Sequence, residues 1–98
     1  MIKVKYNNNK IVISGHANYA ETGKDIVCAS VSSVIYTTVN GIKNINENSI
    51  EFTDTNDVMT IDVISKDSVT IKLIDNMLEL LKDLERQYPQ KISLSKGE

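Results

Sequence analysis

Asp25 to Ile42 reads DIVCASVSSVIYTTVNGI, and the fold class turns on whether this stretch is strand or helix. Val, Ile and Thr are abundant in it, and β-branched side chains lose rotamer freedom in a helix, so propensity argues mildly for a strand. Spacing argues the other way. Val27, Val31, Val34, Ile35, Thr38 and Ile42 recur at intervals of three and four, as the buried stripe of a helix does. Asp25 is a preferred N-cap residue, and no breaker follows it before Asn40-Gly41. The length and the cap decide for a helix.

Working outward, Ile2, Val4 and Tyr6 alternate with Lys3 and Lys5, the period of a half-buried strand. Asn7-Asn8-Asn9 predicts a hairpin turn, and Ile11-Val12-Ile13 returns as a second strand ending in Ser14-Gly15-His16. Ala17 to Lys24 has no periodicity and reads as a loop. Downstream, Ser49–Phe52 and Val58–Ile64 predict a second hairpin around the turn formers Thr53 to Asp57. Asp67 or Ser68 caps a second helix with the apolar stripe Val69, Leu73, Ile74, Met77, Leu81, Leu84 and Tyr88. Its solvated face is Glu79, Lys82, Asp83, Glu85 and Arg86. Pro89 ends this helix, and Ile92-Ser93-Leu94 alternates as a last short strand. The expected fold is α+β in the order β-β-α-β-β-α-β. It is one domain over residues 1–98, with two helices on one face of a mostly antiparallel sheet.

Composition excludes several functions. The chain has 98 residues with one cysteine and one histidine, so it can form no internal disulfide and lacks ligands for a structural zinc site. Neither metal nor cofactor is expected. A formal net charge of −2 disfavours a general nucleic-acid binder, which needs a basic face to neutralise phosphates. No apolar run is read as membrane-spanning, and the charged, Asn-rich start does not resemble a signal peptide, so the expected location is the cytoplasm.

Catalysis at neutral pH needs a nucleophile and a group that titrates, and His16 and Cys28 are the available pair. His16 follows Gly15 at a strand end, and Cys28 falls in the first turn of the predicted helix. There, unpaired backbone N–H groups and the helix dipole favour thiolate, the nucleophilic form. Those N–H groups also suit an oxyanion. The competing reading makes Cys28, flanked by Val27 and Ala29, a small core residue. Asp25 either caps the helix or orients His16. Ser32, one turn beyond Cys28, either bonds the thiolate or packs as a small residue.

Gly15-His16-Ala17, a short loop ending in Gly23, then Asp25-Ile26-Val27-Cys28-Ala29 and Ser32 resemble the signature of the ribosomal-processing cysteine protease family, Prp. The likeness covers essentially the whole chain. It implies a cysteine endopeptidase that removes the N-terminal extension of a large-subunit ribosomal protein, with Cys28 as nucleophile and His16 as general base and acid. Supporting roles for Asp25 and Ser32 carry over more weakly. The resemblance also implies a segment containing Ala17, Tyr19 and Gly23, flanked by Gly15, that orders over substrate, and a homodimeric assembly. The alternative from a different class is a small non-enzymatic module that binds a ribosomal protein or assembly factor through its acidic surface.

Overall fold

The structure, a computed structural model, describes residues 1–15 and 26–97. Seven elements follow in the expected order: β1 (Ile2–Tyr6), β2 (Lys10–Ser14), α1 (Ile26–Ile45), β3 (Ile50–Thr55), β4 (Val58–Val63), α2 (Ser68–Gln87) and β5 (Ile92–Lys96). The strands form one sheet in the order β3-β4-β2-β1-β5. All pairings are antiparallel except that of β1 with β5, in which Ile2 lies beside Ile92 and Tyr6 beside Lys96.

Alternation sorts the sheet into two faces. Ile2, Val4, Ile11, Ile13, Met59, Ile61, Val63 and Ile92 point to one side and are buried. The other side is polar and open, with Lys3, Lys5, Lys10, Glu51 and Asp62 among its residues. A Lys10–Asp62 ion pair at 3.5 Å spans it, an exposed contact of little weight. Both helices cover the apolar face and pack on each other, α1 also against β3 and α2 against β5. From α1 the core receives Val27, Cys28, Val31, Ile35, Val39 and Ile42, and from α2 Thr70, Ile74, Met77, Leu78 and Leu81. Each fully buried aliphatic side chain stabilises the fold by about 1.5–3 kcal/mol.

Four local expectations change. First, α1 carries through Asn40-Gly41 and past Ile42, the last residue of the expected stripe, to Ile45. A helical glycine costs about 1 kcal/mol, less than the burial of Ile42 returns. Second, Thr53, Asp54 and Thr55 belong to β3, and the turn is only Asn56-Asp57. Both turn residues have positive φ, 53° and 66°, as a type I′ hairpin turn requires. Third, Val69 is exposed while Thr70 and Leu78 are buried. The cap explains the rotation, because the Asp67 carboxylate accepts the Thr70 N–H at 2.8 Å and the Thr70 hydroxyl at 3.1 Å. Glu85, read as part of the solvated face, is half-buried with its carboxylate on the Leu94 N–H at 2.8 Å. Fourth, α1 is long and apolar enough, by length and composition, to cross a membrane. Its Ser, Thr and Asn residues hid that run. Its apolar stripe is packed on the sheet, as in the core helix of a soluble protein.

Candidate active site

The orientation of α1 follows from its exit. Asn46 donates to the Ile42 carbonyl, Ser49 donates to the Asn46 carbonyl, and the Ser49 carbonyl accepts Ile64 and Ser65. This turn places the C-terminus of α1 at the end of the sheet where Ile50 pairs with Val63. The helix therefore runs antiparallel to β3, and its first turn lies toward the end where β2 leaves the sheet at Ser14-Gly15.

Cys28 is the third residue of α1, in its first turn. The residue is only 7% exposed. Ser32 follows one turn later and is half-buried. Gly15 ends β2 with φ of +75°, in the left-handed region that glycine adopts most readily. A Cβ there would come within 2.4 Å of the Met1 carbonyl oxygen, so the chain leaves β2 against the start of β1 at a point where no side chain fits. His16, Ala17, Tyr19, Gly23 and Asp25 lie outside the described residues. Of the expected site, the structure thus locates Gly15, Cys28 and Ser32. Among the described residues, no three His, Cys, Asp or Glu side chains cluster as ligands for a metal ion.

Beside this site stands a group that the sequence reading missed. Tyr36 lies two turns after Cys28, and its ring meets Phe52 of β3 edge to face, with centroids 5.3 Å apart at 82°. Its hydroxyl donates to the Asp54 carboxylate. That bond, some burial and the charge of Asp54 together raise the Tyr36 pKa above its ordinary value of 10.0. The only signal in the sequence was the spacing Cys28, Ser32, Tyr36, because Asp54 reads as a turn residue.

A groove of about 660 Å³ lies elsewhere, between α2 and the β1–β2 turn, toward the opposite end of the sheet. Two of its lysines have partners beside it. Lys66 donates to the Asn8 carbonyl and to Asn9 Oδ1, and the Lys82 ammonium sits 5.7 Å from the Tyr6 ring centroid. It belongs to no part of the Cys28 site.

A two-layer α+β domain with a lone thiol in the first turn of its core helix is compatible with a thiol hydrolase. Residues 1–93 match the family described as cysteine protease Prp, and the chain belongs to that family. The ribosomal processing cysteine protease Prp of Mycoplasma genitalium is 40% identical over 75 residues, which is 76% of this chain and 65% of the relative. The protein of the same description from Mycoplasma pneumoniae is 31% identical over 93 residues, 95% of this chain and 92% of the relative. Among solved structures, the fold is similar to that of the S. aureus ribosomal processing protease Prp in complex with a covalently linked product peptide. That likeness has a TM-score of 0.89 at 26% identity and covers 99% of this chain and 100% of the other.

Proposed function

We propose that this chain is an endopeptidase that removes the N-terminal extension of a large-subunit ribosomal protein, with Cys28 as nucleophile and His16 as general base. The observation that carries the reading is the seat of Cys28 in the first turn of α1. It is supported by family membership and by the similar S. aureus protease, which was solved with a covalently linked product peptide. Family membership favours the protease over the non-enzymatic binding module.

In this mechanism His16 takes the Cys28 proton, and the thiolate attacks the scissile carbonyl carbon. The first-turn N–H groups hold the resulting oxyanion. Collapse of that intermediate breaks the C–N bond, His16 protonates the leaving amine, and water then hydrolyses the thioester. Asp25 orients His16, and the Ser32 hydroxyl supports the thiolate. Cys28 is only 7% exposed. A site that engages only its own substrate limits stray proteolysis.

The test is cleavage of the ribosomal-protein precursor by wild type and by Cys28→Ala, with loss of cleavage expected in the variant. Iodoacetamide gives a second reading. A nucleophilic Cys28 alkylates below pH 7, whereas a core cysteine stays inert under native conditions. A cytoplasmic location and a homodimeric state complete the proposal, the latter to be read by sedimentation.

A further inference from the structure

The sheet has two edges, and they are treated differently. At β5, the outward N–H of Leu94 is taken by the Glu85 carboxylate from α2 at 2.8 Å. At β3, the two-residue turn makes Thr55 and Val58 the hydrogen-bonded pair that closes the hairpin. Alternation then directs the N–H and C=O groups of Phe52 and Asp54 away from β4, toward the open edge. Among the described residues, nothing takes them. An open edge with unpaired backbone groups is a template for an added strand.

This edge lies under the part of α1 that carries Tyr36, two turns after Cys28. Cys28, Ser32 and Tyr36 are spaced by four residues along α1, and the Tyr36–Phe52 contact sets the last of them against β3. Eight helical residues span about 12 Å, the length of roughly four residues of extended chain. The edge also has a charge character. Residues 44–65 contain no Lys or Arg, but they include Glu47, Glu51, Asp54, Asp57 and Asp62. Asp54 is exposed, and the Tyr36 hydroxyl is its only hydrogen-bond partner among the described residues.

We propose that the peptide substrate is held as an added strand on the open edge of β3, with Asp54 selecting a basic side chain about four residues from the scissile bond. The proposal rests on the protease reading above and names how that site holds its substrate. Backbone pairing with Phe52 and Asp54 sets the register. The Tyr36 hydroxyl, itself braced by Phe52, fixes the carboxylate that meets the cation. Tyr36 and Asp54 are thus specificity residues with no part in bond breaking.

Two experiments test it on the full chain. Binding of a precursor-derived peptide to Cys28→Ser is measured with one backbone amide N-methylated at a time. Strand addition predicts tenfold or greater losses at alternate positions and little loss between them. A flat or irregular pattern overturns it. Cleavage by Asp54→Lys is then compared for peptides carrying Lys or Glu at the fourth residue on either side of the bond. The expected result is a KM about fivefold higher for the Lys peptide on one side, restored by Glu, with kcat within twofold and an unchanged melting temperature. Equal KM values for both peptides, or an effect confined to kcat, overturns the role of Asp54. If the wild type cleaves nothing, the protease reading fails, while the N-methylation pattern still reports on the edge. If Thr55→Cys, placed in Cys28→Ser, forms a disulfide dimer undiminished by saturating peptide, a second copy occupies the edge and the proposal falls.

Discussion

One methyl group added at two glycines should act in opposite directions. At Gly15, φ of +75° puts an L-residue in the left-handed region, a cost of about 1–2 kcal/mol. Its new Cβ would also lie 2.4 Å from the Met1 carbonyl oxygen, which is backbone and cannot rotate aside. Relief requires moving the residue before β1, whose Ile2 N–H donates to the Lys91 carbonyl at 2.9 Å. The expected cost of Gly15→Ala is therefore about 2 kcal/mol or more. At Gly41, in the interior of α1, a Cβ meets nothing within 4 Å. Gly41→Ala should stabilise by about 0.5–1 kcal/mol through helix propensity alone. Urea unfolding measures both. With a denaturant slope of about 1–3 kcal/mol/M, the two midpoints should move apart by about 1 M or more. Gly15→Ala within about 0.5 kcal/mol of wild type would refute the strained exit from β2, and a destabilised Gly41→Ala would refute the open flank of α1. Gly15→Ala should also slow precursor cleavage, since Gly15 directly precedes His16.

The other perturbations are simpler. Ile61 is fully buried on β4, between β3 and β2, so Ile61→Ala should cost about 2–5 kcal/mol in urea unfolding, a large share of a total near 5–15 kcal/mol. Ser49 is 1% exposed and its Oγ has no hydrogen-bond partner among the described residues, so Ser49→Ala should raise stability by about 1 kcal/mol; a loss would show a hidden partner. The Ser65 hydroxyl, with the Thr70 N–H, holds the Asp67 carboxyl below its ordinary pKa of 3.8. A lowered carboxylate stabilises the fold above that ordinary value and loses the contribution as pH falls through the native one. The stability gap between wild type and Asp67→Asn should therefore shrink on acidification from about pH 6 to about pH 3, and a constant or widening gap would contradict the cap.

What was legible in the sequence followed from period and chemistry, and what was not depended on partners distant in the chain. The helical spacing from Val27 to Ile42 outweighed the β-branched composition, because six of the α1 residues it brings together fill the core. The end of α1 was less legible, since no apolar stripe residue beyond Ile42 marks its last turn to Ile45. Thr53 to Thr55 carry turn composition but extend β3, because Asn56 and Asp57 alone take the positive φ values. The parallel seat of β5 beside β1 leaves no local mark, since it joins residues about ninety apart. Cys28 was legible from its place after Asp25, and the structure puts it in the expected turn. Tyr36 with Asp54 was not, as a helix residue and a strand residue 18 positions apart meet only once α1 lies over β3.

The central claim is that Cys28 attacks the substrate carbonyl and carries the acyl group. Mixing wild type with a precursor peptide, quenching in acid within the first turnover and weighing the intact protein tests it directly. The account predicts a mass increase equal to the N-terminal fragment acylated on Cys28, appearing before steady-state release and absent from Cys28→Ala, which should also leave the precursor uncut. Cleavage by Cys28→Ala at the wild-type rate, or an adduct carried on another residue, would contradict it.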